Sequence, residues 1–161
     1  MISLCRLDDR MIHGQIVTKW SRVVSVDRII VANDNAGNNE IVAQSLKMAA
    51  PEHIKVAVKT VDGAIKLMQN PKAVNHNIMI IVANPNDLLK VVECIPGINR
   101  VNIGNYGLLE ANDGKKRKKI SQFVSLSPDE IEVLEKVSKK VNDFVIQVTP
   151  DVSAIKVSSI F

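Results

Sequence analysis

The chain is short of aromatic residues, which make up 3% of its 161 positions, with one Trp, one Tyr and three Phe. That scarcity removes the stacking platform single-stranded nucleic-acid binding needs. A net charge of +4 is too mild to argue for nucleic acid by itself. Cysteine is also scarce, with only Cys5 and Cys94. Two thiols on apolar segments, with no signal peptide before them, predict a reducing, cytoplasmic compartment rather than a disulfide framework. No apolar run approaches the roughly 20 residues needed to cross a bilayer. No Cys, His and Asp spacing suggests a metal site. Neither G-x-G-x-x-G after the first strand nor G-x-x-x-x-G-K-[ST] occurs, so nucleotide binding has no motif to stand on.

What is abundant is aliphatic. With 46% hydrophobic residues and few rings, the core must come from Val, Ile, Leu, Ala and Met. That is the usual filling of a parallel sheet with helices on both faces. The length fits one domain with a sizeable core, taken as residues 1–161 with a tail over 150–161.

Apolar runs predict strands at Ile2–Cys5, Arg28–Ala32, Lys55–Thr60, Asn77–Ala83, Arg100–Ile103, Phe123–Leu126 and Phe144–Val148. Helical spacing or start signals place helices at Gly14 to about Val24, Glu40–Ala50, Asp62–Gln69, Asn84 to about Cys94, and Pro128 to about Val141. Asn33–Asn39 reads as loop. The fold class is therefore α/β: a single-domain, open, mostly parallel sheet of about seven strands, helices on both faces, joined by right-handed crossovers. In such sheets a ligand lies outside the carboxyl ends of the strands. The loops at that edge are Asp8–His13, Asn33–Asn39, Asn84–Asp87 and Gly104–Gly107.

The densest chemistry lies in the first of these. His13 and Gly14 precede a helix N-terminus, whose free N–H groups and partial positive charge favour an anion. Gly14 leaves room for close approach. Arg10 offers a planar fork for phosphate oxygens. A histidine can be a nucleophile, passing a group through a phosphoimidazole. Asp9 could hold Arg10 or the imidazole. The plainer readings are a polar loop with an incidental histidine, and Asp8 and Asp9 as capping or charge-pairing groups. His53 and His76 read as surface residues without partners. Trp20 reads as packing. Lys115–Lys119 reads as a solvated hairpin or loop tip, or as a docking surface for an acidic partner or the membrane face.

The stretch Arg6-Leu7-Asp8-Asp9-Arg10-Met11-Ile12-His13-Gly14-Gln15-Ile16-Val17 resembles the R-[IL]-D-[DS]-R-[LM]-I-H-G-Q-V segment of IIB components in the mannose/fructose/sorbose class of the bacterial sugar phosphotransferase system. The likeness continues through Met48–Pro51, Asn84-Pro85, Arg100–Gly104 and Ser125–Ser127. It implies that His13 is the phosphorylated residue, carrying the phosphoryl group on Nδ1 as a protein-Nπ-phosphohistidine–sugar phosphotransferase. It implies Arg10 as the charge clamp, Asp9 in support, and Gly14 and Gln15 beside the phosphate. It implies phosphorylated IIA as donor and a sugar acceptor carried by membrane components IIC and IID. No cofactor or metal is needed, because the donor is a protein. The implied location is cytoplasmic, peripheral to the permease. Sugars of the class include mannose, fructose, sorbose, glucose and N-acetylgalactosamine, with IIC and IID expected to set much of the choice. A homodimer stays open. So do two rival readings: a non-catalytic anion- or nucleotide-binding module, and a phosphohistidine regulatory relay. Where the family commonly has paired glycines, this chain has Asn105 and Tyr106. The C-terminal segment Pro150–Ala154 lacks the family's lysine, and no role is carried over to it.

Overall fold

The computed structural model describes residues 1–109 and 112–161. Its strands are β1 (Ile2–Leu7), β2 (Arg28–Ala32), β3 (Lys55–Lys59), β4 (Ile78–Val82), β5 (Arg100–Ile103), β6 (Lys118–Ser121), β7 (Val124–Leu126), β8 (Asp143–Ile146) and β9 (Ile155–Lys156). Its helices are α1 (Gly14–Val23), α2 (Asp34–Asn38), α3 (Glu40–Ala49), α4 (Val61–Met68), α5 (Pro85–Cys94) and α6 (Pro128–Ser138). Short 3₁₀ turns occupy Pro71–Asn75 and Val157–Ser159.

Seven strands form one sheet in the order β3-β2-β4-β1-β5-β8-β9, parallel except for β9 against β8. All five residues of β4 are buried, as a central parallel strand with both faces covered requires. Alternation splits the core in two. Leu4, Met79 and Ile81 pack with Val17 and Trp20 of α1 and Leu46 of α3. On the other face Cys5, Leu7, Ile80 and Val82 pack with Leu88 of α5 and Leu134 of α6. The connection from β1 thus covers one face, while α6, which follows β5, covers the other. The crevice between β1 and β5 is where connections diverge, the usual ligand position in such sheets.

Four expectations need correction. Asn33–Asn39 is not plain loop. Asp34–Asn38 forms a helical turn, because the Asn33 side chain accepts from the Ala36 N–H, and Asn39 then caps α3 through Val42 N–H. The strand at Phe123–Leu126 does not join the main sheet. It shortens to β7 and pairs antiparallel with β6, a strand absent from the sequence reading. The seventh sheet strand is instead β9, inside what reads as a tail. Val157 beyond it is fully buried, which fastens this segment. Finally, α6 stops at Ser138, since the N–H groups of Asn142 and Asp143 already donate to the Asn99 carbonyl.

Candidate active site

The site begins with a charge inside the sheet. Leu4, Arg6 and Asp8 alternate onto the α1 side of β1, so Arg6 projects toward Trp20. Its side chain has no solvent exposure. A buried guanidinium is costly unless its donors are used. Here Nη1 donates to Asn102 Oδ1 and to the Gln147 carbonyl, the latter at 3.2 Å. Nη2 donates to Asp8 Oδ2 at 2.8 Å and to the Val148 carbonyl at 3.1 Å. The Trp20 ring centroid lies 5.7 Å away, and Trp20 Nε1 also donates to Val148 O, at 3.0 Å. These carbonyls explain why β8 ends at Ile146 and not at Val148. They turn to Arg6 and Trp20 instead of a strand partner. Gly104 is required by the same cluster: a Cβ there would stand 1.9 Å from Arg6 Nη2 and 2.7 Å from Asp8 Oδ2.

Asp8 is the hub. Its Oδ1 accepts the Arg10 backbone N–H at 3.1 Å. Its Oδ2, besides Arg6, accepts Asn105 N–H at 3.4 Å and Asn105 Nδ2 at 3.3 Å. The same oxygen faces His13 Nε2 at 3.4 Å. Burial by itself raises the Asp8 carboxyl. The hydrogen bond with His13 and the charge of Arg6 outweigh it and hold the group below the usual carboxylate range.

His13 occupies the N-cap position of α1 in extended backbone, without capping through its side chain. That side chain is 20% exposed, and its Nδ1 has no partner among the described residues. Gly14 follows at φ 47°, in the left-handed region that favours glycine, with open space where a Cβ would stand. Met11 adopts φ 57°. Such a conformation costs a non-glycine residue about 1–3 kcal/mol and persists where surroundings enforce it. The surroundings here are buried Ile12 and the bond from Met11 N to Asp8 O. Arg10 and Gln15 are exposed, and the Arg10 guanidinium has no partner among the described residues. Arg10, Gly14 and Gln15 are thus the exposed residues of the stretch around His13.

Asp9 sits elsewhere. Its Oδ2 accepts the Gly107 N–H at 2.9 Å, and its own N–H donates to Asn105 O at 3.0 Å. Burial raises its carboxyl, with the Gly107 bond opposing. Asp9 ties the His13 loop to the segment after β5. It is Asp8, not Asp9, that meets the imidazole.

The opposite wall is held by a second buried acid. Tyr106 is buried, and its hydroxyl donates to Glu130 Oε1 at 2.7 Å. Arg117 Nη2 reaches the same oxygen at 2.7 Å and Asp113 at 2.7 Å. Glu130 also accepts the Ser127 N–H, so the acid read as a helix-start signal both caps α6 and clamps the wall. Lys115 pairs with Asp129 at 2.6 Å, leaving Lys118 and Lys119 exposed on β6. Two of the five residues of the basic run, Lys115 and Arg117, are thus fastening.

A cavity of about 300 Å³ opens at the other end of the sheet, lined among others by Arg28, Ile30, Lys55, Met68 and His76. It shares no residue with the His13 loop. His76, which reads as unpartnered in sequence, bonds Asp27 through Nδ1 at 2.8 Å. His53 is exposed, as expected. Among the described residues no three or more His, Cys, Asp or Glu side chains are grouped to hold a metal, and no helix is long and apolar enough to cross a membrane.

An open, mostly parallel sheet with a histidine at the first helix's N-terminus, beside the crevice of diverging connections, defines the α/β class. Residues 2–161 match the family model of the PTS system sorbose subfamily IIB component. A probable phosphotransferase enzyme IIB component of Streptococcus pyogenes is 32% identical over 161 residues, covering 99% of each chain. The sorbose-specific EIIB component of Klebsiella pneumoniae is 36% identical over 138 residues, 86% of this chain and 81% of that one. The crystal structure of the IIBSor domain of the sorbose permease from Klebsiella pneumoniae superposes with a TM-score of 0.87 at 31% identity, covering 99% of this chain and 94% of that one. The chain belongs to the sorbose subfamily of phosphotransferase-system IIB components. It is a transferase of the phosphotransferase system and a phosphocarrier of sugar uptake.

Proposed function

We propose that His13 is the residue that carries the phosphoryl group, taking it from phosphorylated IIA and giving it to a sugar at the IIC and IID components. The observation that carries this reading is the split environment of the imidazole. Nε2 faces Asp8, while Nδ1 has no partner among the described residues. With its proton on Nε2, the ring keeps a lone pair on Nδ1, the nucleophilic nitrogen.

In the transfer, the Nδ1 lone pair attacks phosphorus of the donor phosphohistidine. The donor N–P bond breaks and its electron pair returns to the donor imidazole. The Nε2 proton stays in place, so the phosphorylated ring is cationic and faces the Asp8 carboxylate. Nothing beyond positioning and charge stabilisation is asked of the rest of the site. The free N–H groups of α1 behind Gly14, with Gln15, lie where phosphoryl oxygens need donors. The exposed Arg10 guanidinium closes over them. Asp9 supports the loop through Gly107. The chain works as one domain on the cytoplasmic side, against the membrane components, on a sugar of the mannose class.

The test is incubation with phosphorylated IIA. The expected product is acid-labile and base-stable, and His13→Ala abolishes it. Full labelling of that variant removes His13 from the mechanism. Reversible binding of phosphate compounds without any label favours an anion-binding module instead.

A further inference from the structure

Asp8 Oδ2 has four nitrogen groups within 3.4 Å: Arg6 Nη2, Asn105 N, Asn105 Nδ2 and His13 Nε2. One carboxylate oxygen offers about two lone-pair sites. The oxygen is oversubscribed, and Arg6, at 2.8 Å and wholly buried, holds the first claim. The two Asn105 donors and His13 share what is left. All three stand at 3.3 or 3.4 Å, long for a charge-assisted bond, which ordinarily measures about 2.7–2.9 Å. Asn105 is buried, and its backbone carbonyl accepts the Asp9 N–H, which fixes the main chain from which the side chain reaches Asp8. The other charges of the loop do not compete. Asp9 is turned to Gly107, and Arg10 meets Asp8 only through its backbone N–H.

We propose that Asn105 is a positioning residue that keeps the Asp8–His13 bond loose, and so sets how firmly His13 holds a phosphoryl group. The inference rests on the phosphocarrier reading above. A tight bond to Asp8 makes Nδ1 a better nucleophile and a poorer leaving group, because it stabilises the cationic phosphorylated ring. A carrier must take and release with comparable ease. Asn105 spends part of the Asp8 acceptor capacity and returns the imidazole toward that balance.

The test compares wild type with Asn105→Ala, which removes Nδ2 and keeps the backbone N–H. Two quantities are read. One is the His13 Nε2–H resonance, by its position and its exchange with solvent. The other is the phosphorylated fraction at a fixed ratio of phosphorylated to free IIA. In Asn105→Ala the resonance is expected to move downfield and exchange more slowly. The ratio of phosphorylated to free chain is expected to rise about three- to tenfold, the effect of partly strengthening one charge-assisted hydrogen bond. Asn105→Ser, which restores a hydroxyl donor, should bring both back toward wild type. Asn105→Gly serves if the alanine variant does not fold. A folded variant with unchanged resonance and unchanged ratio overturns the proposal. Should wild type take no label at all, the phosphocarrier reading falls, while the Nε2–H comparison still decides whether Asn105 loosens the bond.

Discussion

Arg6 and Asp8, two positions apart at the end of β1, form a fully enclosed ion pair at 2.8 Å, and the carboxylate oxygen of that pair is the one facing His13. The loop histidine is thereby linked to the sheet interior. Arg10, four residues beyond Arg6, is exposed, and its guanidinium has no partner among the described residues. Two arginines in one short stretch thus stand in opposite environments, one enclosed in the sheet and one open to solvent.

That contrast is measurable. Arg6→Leu leaves Asp8 as a buried charge without its main partner and should cost about 3–5 kcal/mol in urea unfolding. Arg10→Ala alters only exposed surface and should stay within about 0.5 kcal/mol of wild type. Transfer from phosphorylated IIA should nevertheless slow by about 10²-fold or more in Arg10→Ala, the scale of removing a preorganised charge stabiliser. Equal stability losses for the two variants would contradict the assignment.

Two glycines separate space from conformation. Gly104→Ala drives a methyl into the Arg6 guanidinium and the Asp8 carboxylate, so the ion pair must shift. A loss of more than about 2 kcal/mol is expected, with transfer impaired. Gly14→Ala meets nothing, yet requires a left-handed residue. Its cost should be about 1–2 kcal/mol. Thermal unfolding of the pair checks the order.

Acid should reveal the second buried carboxylate. Burial raises Glu130, but the bonds from Arg117, Ser127 and Tyr106 outweigh it and hold its carboxyl below the usual range. A depressed folded pKa contributes stability that is present above the unfolded value, about 4.3, and is lost as pH falls through the folded one. Asp8 behaves alike below about 3.9, its unfolded value. Wild type should therefore lose urea resistance steadily below about pH 4.3. Arg117→Met should start about 3 kcal/mol lower at pH 7 and lose less over the same interval, because Glu130 no longer favours the folded state when charged. Parallel curves for the two proteins would exclude this account.

Much of the fold is legible along the chain because its signals are local. The five-residue apolar run at β4, the Pro85 and Pro128 helix starts and the aliphatic composition all follow from period and propensity. Part of the site is legible too: His13, Gly14 and Arg10 lie adjacent in sequence and share one loop. The role of Arg6 left only a faint signal, an arginine on the buried side of an apolar strand, two residues before an aspartate. Asn102 gave none, since an asparagine in a strand has many ordinary uses, and Asn105 showed only as a residue of an edge loop without its partner.

The sequence alone determined the sheet's class and the loops at its carboxyl edge, the one with His13 among them, because alternation, capping and spacing act within a few residues. Tertiary structure decided which carboxylate meets that histidine. Asp8 and Asp9 are neighbours with identical chemistry. Pleating sends one inward to Arg6, Asn105 and His13 and the other across to Gly107. It also decided that Tyr106 and Arg117 are fastening, because Glu130 waits for them on a helix more than twenty residues away from Tyr106. Partners brought together by the fold leave no periodicity for a sequence to display.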